Sequence, residues 1–258
     1  MASDTPIHPY YPLGVAIPDY VANTLSTPTI IAIFATACSV ALLPAFFLIR
    51  RARPNLSSGE LATALWFVLC GCIHLILEGL LLPFPPLVPP WYIPASLDRS
   101  LHHLANCIFP VLGNFALYHV AGGSSVLSQL WKEYSLSDSR YLTRDAFTVC
   151  METITAFAWG PLSFLLVYLI TTIHPARYFM QTVVSLGQLY GTVLYFGTSL
   201  HEDLVRGLEF SRPEGYYFYG YFVFLNTIWI VIPTLLLMQS GKATVASFGR
   251  VRKTGKRD

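Results

Sequence analysis

Charged side chains are scarce in this chain of 258 residues, since Asp, Glu, Lys and Arg together make up only 12% of it. A soluble domain has roughly 25% charged residues, so lipid must solvate much of this protein's surface. The formal net charge of +2 is also small, and the basic residues lie in loops and near the C-terminus. This pattern excludes a nucleic-acid-binding function, and we predict no nucleic-acid partner.

Cysteines are few and are poorly placed for cross-linking. There are five, at positions Cys38, Cys70, Cys72, Cys107 and Cys150, and most lie in or beside apolar runs. Cys70 and Cys72 are two residues apart, and the nearest His is not placed with them as a zinc-ligand set requires. We therefore expect no structural disulfide and no metal.

Apolar runs, by contrast, are long and numerous. A helix needs about 20 apolar residues to cross ~30 Å of hydrocarbon, and five windows of that length lie near 29–49, 61–82, 146–170, 179–200 and 217–238. The sequence thus predicts an all-α membrane protein, a bundle of five transmembrane helices enclosing an intramembrane pocket.

The basic residues orient this bundle. With five spans, the loops after the first and third spans and the C-terminal tail share one side, and they hold ten of the sixteen Lys and Arg. By the positive-inside rule that side is cytoplasmic. We predict a lumenal N-terminal segment (1–28), a membrane domain (29–238) and a basic cytoplasmic tail (239–258). Because residues 1–28 contain no Lys or Arg, they lack the start of a cleavable signal peptide.

An atypical segment, at about 81–113, interrupts the membrane domain. It is rich in Pro and then becomes half apolar, which makes it a poor spanning helix. We interpret it as a lumenal loop or re-entrant piece. A sixth span is the alternative, and it would move the C-terminus to the other side.

Ionisable and polar side chains lie inside three of the predicted spans, where an isolated charge costs several kcal/mol. His74 and Glu78 share one face of the second span at i and i+4. The third span carries Glu152 and, three residues later, Thr155; the fifth carries Asn226 and Trp229. Each has a structural alternative: mutual hydrogen bonding of His74 and Glu78, a bond from Thr155 to a carbonyl one turn earlier, interhelical bonding of Asn226, and packing of Trp229.

Two buried carboxyls and a His in an apolar cavity suit proton transfer to and from a hydrocarbon. Burial favours the protonated form of a carboxyl group, which can then donate a proton near neutral pH, while a second group accepts a proton elsewhere. An aromatic face stabilises a transient cation. These residue types therefore point to protonation and deprotonation of an alkene.

Segments along the whole chain resemble the emopamil-binding protein family, the 3β-hydroxysteroid Δ8,Δ7-isomerases. They are 8–12 (HPYYP), 70–79 (CGCIHLILEG), 127–141 (LSQLWKEYSLSDSRY), 147–155 (FTVCMETIT), 159–163 (WGPLS), 174–177 (HPAR), 187–191 (GQLYG) and 221–229 (YFVFLNTIW). The matches run in order from the N-terminus to the fifth span, which makes the resemblance specific.

The resemblance implies a five-helix, EXPERA-type fold with a sterol pocket in the endoplasmic reticulum membrane. It implies no cofactor, a sterol substrate in the lipid bilayer, inhibition by cationic amphiphilic amines that imitate a carbocation, and leaves a homodimer open. The implied reaction moves the nuclear double bond from Δ8 to Δ7. His74 and Glu78 would handle the proton added at C9, and Glu152 with Thr155 would assist its removal from C7. Asn226 would orient the polar groups and Trp229 would face the cation.

Two features depart from the family pattern. Thr192 stands where the family has Asp after Tyr-Gly, and the segment at about 81–113 has no family counterpart; it is either a lumenal lid or an intron retained in a gene model.

Two other functions therefore stay open: a non-catalytic sterol-binding or trafficking protein of the superfamily, and a relative that isomerises or cyclises a terpenoid. Retention of both carboxyls favours catalysis.

Overall fold

The computed structural model of the chain describes residues 8–78 and 120–254. Within these ranges the chain forms helices and loops and contains no β-strand, which confirms the all-α prediction. The helices are α1 (Thr27–Ala52), α2 (Ser58–Cys72), α3 (Val126–Tyr134), α4 (Arg140–Thr143), α5 (Ala146–Ile154), α6 (Gly160–Thr171), α7 (Arg177–Arg206) and α8 (Asn226–Thr254).

Side-chain caps explain where the first two long helices begin. Ser26 accepts a hydrogen bond from the backbone N–H of Thr29 at the start of α1, and Ser57 and Glu60 form a capping box at the start of α2. These caps satisfy N–H groups that have no partner within a helix. The short polar connection between the two helices lets α2 return antiparallel along α1.

Among residues 8–78 and 120–254, four helical stretches are long and apolar enough to cross a membrane: Thr27–Ala52, Ser58–Leu77, Ala146–Thr171 and Tyr216–Arg252. They correspond to the first, second, third and fifth predicted windows, and the chain is therefore a membrane protein with four candidate spans. The fourth window, 179–200, lies within α7. That helix has the length of a span but is less apolar, because it carries polar side chains such as Gln181 and Gln188.

In the described part of the chain, three π-helical segments interrupt the long helices: Ile73–Leu77 after α2, Thr155–Trp159 between α5 and α6, and Tyr216–Leu225 before α8. A π-helical turn inserts an extra residue and shifts the side chains that follow to a new direction; such turns are frequent at functional sites. Here the segments contain or adjoin the polar residues of the three predicted spans.

Two buried clusters hold the helices together. One is largely aromatic and contains Tyr10, Trp131, Tyr141, Tyr195 and Phe222. The other is largely aliphatic and contains Phe67, Leu166, Ile170, Val184 and Leu236. Helices α7 and α8 pack along each other, and α2 packs against both α1 and α6. Residues of both clusters, such as Tyr195 and Trp66, line one cavity.

Two parts of the predicted domain organisation are the insert at 81–113 and the tail that begins at residue 239. The predicted insert at 81–113 lies outside the described residues. The predicted tail begins at residue 239, and α8 runs without a break through that position to Thr254. The basic residues of the predicted tail up to Arg252 thus lie on an extension of the last span.

Candidate active site

A cavity of about 930 Å³ lies among the helices, within the size range of small-molecule sites. Its lining is mostly apolar and aromatic. All six side chains selected from the sequence line it: His74, Glu78, Glu152, Thr155, Asn226 and Trp229. The fold therefore brings the polar stripes of three separate spans to one space.

His74 and Glu78 form a direct pair at the end of the second span. Nδ1 of His74 lies 2.9 Å from Oε2 of Glu78, and the His74 side chain is 3% exposed. On the opposite edge of the ring, Nε2 of His74 lies 3.3 Å from Nε2 of Gln188 on α7. If Glu78 is ionised, the ring carries its proton on Nδ1, and Nε2 accepts a hydrogen bond from the Gln188 amide.

Glu152 lies on the adjoining helix and is held by a tyrosine. The hydroxyl of Tyr141 donates to Oε1 of Glu152 over 2.8 Å, and the Glu152 carboxyl interacts electrostatically with both Glu78 and His74. Burial, and then the charge of Glu152, raise the pKa of Tyr141. The phenol consequently stays protonated and acts as a donor. The Glu152 side chain also lies within hydrogen-bonding reach of Glu78, and both line the cavity.

Thr155 and Asn226 make their hydrogen bonds to their own helices and to a neighbour. The Thr155 hydroxyl donates to the carbonyl of Met151 over 2.8 Å, which is the structural alternative considered for it. Nδ2 of Asn226 donates to the carbonyl of Phe222 and to the Tyr134 hydroxyl, the latter over 2.9 Å. Thr155 thus offers the cavity an oxygen acceptor, and Asn226 links the last span to α3.

Four tryptophans of the described residues line the cavity: Trp66, Trp131, Trp159 and Trp229. The Trp229 ring packs against Trp66 with 5.3 Å between ring centroids, which fixes its orientation. Trp159 lies against Gly187 of α7, where any Cβ would overlap its ring. Gly187 therefore makes room for this side chain, and both Gly187 and Gly191 line the cavity.

Thr192, the departure from the family pattern, also lines the cavity. Its hydroxyl donates to the carbonyl of Gln188 over 2.9 Å, and its side chain is buried. This position therefore presents a neutral group that is already bonded within its own helix.

Sequence reasoning did not select Gln188, Tyr141 or Tyr134, although each contacts a selected residue. Gln188 carried a usable signal, because an amide at membrane depth needs a partner. The two tyrosines carried none, since they lie outside the predicted spans and meet the site only through the fold. Their contacts depend on how α3 and α4 pack against the end of the bundle.

The chain is similar to known proteins over most of its length. The model of EXPERA, the expanded EBP superfamily, matches residues 126–240. The mouse 3β-hydroxysteroid-Δ(8),Δ(7)-isomerase is 38% identical over 92% of this chain and 88% of its own. A probable isomerase of the same name from Oryza sativa is 32% identical over 93% of this chain and 94% of its own. Isomeliandiol synthase of Ailanthus altissima is 32% identical over 70% of this chain and 69% of its own.

Identity at this level across nearly the whole length of both chains establishes the relationship. The relatives align outside the family-model region as well as within it. The chain belongs to the emopamil-binding protein family of the EXPERA superfamily.

Proposed function

We propose that the protein is a sterol isomerase that moves the nuclear double bond from Δ8 to Δ7. A proton adds to C9, the electron pair of the C8–C9 double bond forms the new C–H bond, and C8 becomes a carbocation. Loss of a proton from C7 leaves its electron pair as the C7–C8 double bond. One proton enters and one leaves, so the reaction is redox neutral and uses no cofactor.

The pair of His74 and Glu78 handles the proton added at C9, and Glu152, with Thr155 beside it, assists removal of the proton from C7. Asn226 holds Tyr134 and so orients the polar end of α3 against the site. Trp229, with its ring fixed by Trp66, faces the cation at C8. A carbocation in an apolar cavity is stabilised by an aromatic face and by nearby carboxylates.

The observation that carries the proposal is the convergence of two acidic groups in one mostly apolar cavity. The pair of His74 and Glu78 comes from the second span, and Glu152 comes from the third. A protein that only binds sterols needs the shape of the cavity but has no use for two costly buried carboxyls. The relatives named as isomerases support the same reaction.

The test is expression in a yeast strain that lacks its own sterol Δ8 to Δ7 isomerase, with sterols analysed by gas chromatography and mass spectrometry. We expect Δ7 sterols with the unchanged protein and Δ8 sterols with Glu78→Gln or Glu152→Gln. Glu202→Gln is the matched control, since Glu202 pairs with Arg206 on the outer part of α7. Unchanged Δ8 sterols with well-expressed, membrane-bound protein would refute the proposal.

A second candidate keeps the chemistry and changes the substrate. Thr192 gives one face of the cavity a neutral group where the family has an acid, and isomeliandiol synthase is among the relatives. A terpenoid of similar size is then the alternative substrate. Product analysis on a panel of sterols and triterpenoids separates the two, because only the preferred class yields an isomer with high kcat/KM.

The protein lies in the endoplasmic reticulum membrane as a five-span domain over 29–238. The four apolar stretches are four of these spans, and α7, fourth in chain order, is the remaining one. The polar side chains of α7 that reduce its hydropathy include Gln181, Ser185 and Gln188, which are buried against other helices, so lipid need not solvate them. The N-terminal segment 1–28 is lumenal and the basic end of the chain, from 239 onward, is cytoplasmic. Glycosylation-site tags at each terminus test this orientation.

Cationic amphiphilic amines are expected ligands of the same cavity. An ammonium group placed between Glu78 and Glu152 imitates the carbocation and binds more tightly than the neutral substrate. Competition between such an amine and a Δ8 sterol measures this. A homodimer stays a prediction.

A further inference from the structure

A third acid lines the cavity and has no part in the proposed proton transfers. Glu133 lies one residue before the end of α3, and its side chain is 6% exposed. Its partners come from two other elements: Thr27 at the first position of α1 and Tyr221 in the last π-helical segment. Tyr221 precedes Asn226 by five residues, about one π-helical turn. Glu133 therefore lies toward the end of the cavity where α1 begins.

The carboxyl group of Glu133 is only partly satisfied by these partners. The Thr27 hydroxyl donates to Oε2 over 3.0 Å, and the Tyr221 hydroxyl donates to Oε1 over 3.4 Å. A carboxylate has about four acceptor sites. One further donor can therefore bind on the side that faces the cavity.

The Glu133 carboxyl has no cationic side chain bonded to it within the described ranges. The adjacent Lys132 points elsewhere, because its ammonium donates to the carbonyls of Val21 and Gly123 over 2.6 and 2.8 Å. Arg212 acts on Glu133 through its charge alone and is bonded to Glu214.

A buried acceptor with spare capacity at one end of an apolar cavity recognises a neutral, mostly apolar molecule that carries one hydroxyl. Burying such an acceptor without a donor is unfavourable. A hydroxyl group donates one hydrogen bond and brings no charge into the cavity.

We propose that Glu133, positioned by Thr27 and Tyr221, is a subsite that accepts a hydrogen bond from the hydroxyl group of the polycyclic substrate. The subsite fixes which end of the ring system lies toward the start of α1, and so sets which carbons face the proton-transferring groups. This inference rests on the proposed isomerase function, and it adds a residue that determines specificity.

The test compares a Δ8 3β-hydroxysterol with its 3-deoxy counterpart, using purified protein in lipid nanodiscs. The quantity measured is the ratio of kcat/KM for the two compounds within each variant, which does not depend on the amount of active protein. We expect the unchanged protein to prefer the hydroxysterol by about 10- to 100-fold, since a site built to bond a hydroxyl discriminates against its absence. Glu133→Leu should bring the ratio to about 1.

Conservative variants make the result independent of folding. In Glu133→Gln one side-chain oxygen still accepts a hydrogen bond, so an intermediate ratio is expected. Tyr221→Phe and Thr27→Val each remove a hydrogen bond that positions Glu133, and each should lower the ratio by about threefold or more. Glu202→Gln should leave it unchanged. If Glu133→Leu does not fold, Glu133→Gln and Tyr221→Phe decide the matter.

The outcomes separate this inference from the proposed function. A ratio that is unchanged in Glu133→Gln and Tyr221→Phe overturns the subsite while isomerisation stands. Absence of turnover of the hydroxysterol by the unchanged protein overturns the isomerase function itself. A ratio that falls in the Glu133, Tyr221 and Thr27 variants, but not in the control, supports the subsite.

Discussion

The side-chain amide of Gln188 lies 3.3 Å from Nε2 of His74, on the edge of the ring opposite the one that meets Glu78. Among the residues that the structure describes, Oε1 of the same amide is buried and has no hydrogen-bond partner. A rotation of the amide by 180° would turn this oxygen toward Nε2. Gln188 can therefore donate to a neutral His74 or accept from a protonated one, and it supports the ring through a cycle of proton transfer.

Gln188→Leu is predicted to lower kcat by about 10- to 100-fold, because the ring loses the contact that orients it for acid–base chemistry. KM should change little, since the leucine preserves the volume of the cavity wall. Gln181→Leu is the control on the same helix. Its amide bonds to the carbonyl of Leu236 and to Gln239, so it should reduce stability without changing kcat. Equal effects of the two substitutions on kcat would contradict a positioning role.

Gly187→Ala is predicted to impair catalysis, whereas Gly191→Ala should be tolerated. A Cβ at position 187 overlaps the Trp159 ring, but nothing lies within 4 Å of one at position 191. Overpacking of this kind costs about 1–3 kcal/mol and displaces the ring. Kinetics and thermal unfolding of both variants in nanodiscs provide the check. Loss of activity in Gly191→Ala alone would contradict this prediction, because it would show that catalysis depends on the space in the cavity and not on the position of Trp159.

Arg140→Leu is predicted to destabilise the fold by about 3–5 kcal/mol, because it leaves a buried acid without its counter-charge. Asp138 is 0% exposed, and its Oδ2 accepts from Nη2 of Arg140 over 2.6 Å. The double variant Asp138→Leu with Arg140→Leu should recover much of the loss. Arg206→Leu, at an exposed ion pair, should have little effect. Denaturant unfolding measures all three, and an equal loss in the single and double variants would argue against the pair.

Glu133 should make stability depend on pH. Burial raises the pKa of its carboxyl, and this outweighs the hydrogen bonds from Thr27 and Tyr221 and the charge of Arg212, all of which lower the pKa. Because the folded state then holds this proton more tightly than the unfolded state, stability should fall as the pH rises from the unfolded pKa through the raised one. Thermal unfolding of the unchanged protein and of Glu133→Gln between about pH 4 and 8 isolates the contribution of Glu133 ionisation to stability. The difference between the two proteins should grow with pH, and a constant difference would refute it.

The six residues selected from the sequence show how much of the candidate site the sequence predicts. His74, Glu78, Glu152, Thr155, Asn226 and Trp229 were selected because lipid makes polar groups within spans costly, and all six line the cavity. Their placement relied on α-helical spacing. In the structure, His74 lies within a π-helical segment that ends immediately before Glu78, and the two side chains are hydrogen-bonded. Composition does not reveal such segments.

α7 shows the limit of composition as a guide to membrane spans. The five predicted windows included 179–200, but the polar residues of α7 leave four helices apolar enough to be recognised as spans. Gln181, Ser185 and Gln188 are buried against neighbours. Hydropathy cannot distinguish a polar face that meets lipid from one that meets protein.

The sequence by itself determined the helical class, most of the spans and the acids of the cavity, because crossing a bilayer imposes length and apolarity on each span separately. Only the tertiary structure decided which partner each polar group has: Gln188 for His74, Tyr141 for Glu152, and Thr27 and Tyr221 for Glu133. These partners lie far apart in the chain. Their contacts depend on the packing of helices and on π-helical turns, which set the direction of a side chain to within a fraction of a turn.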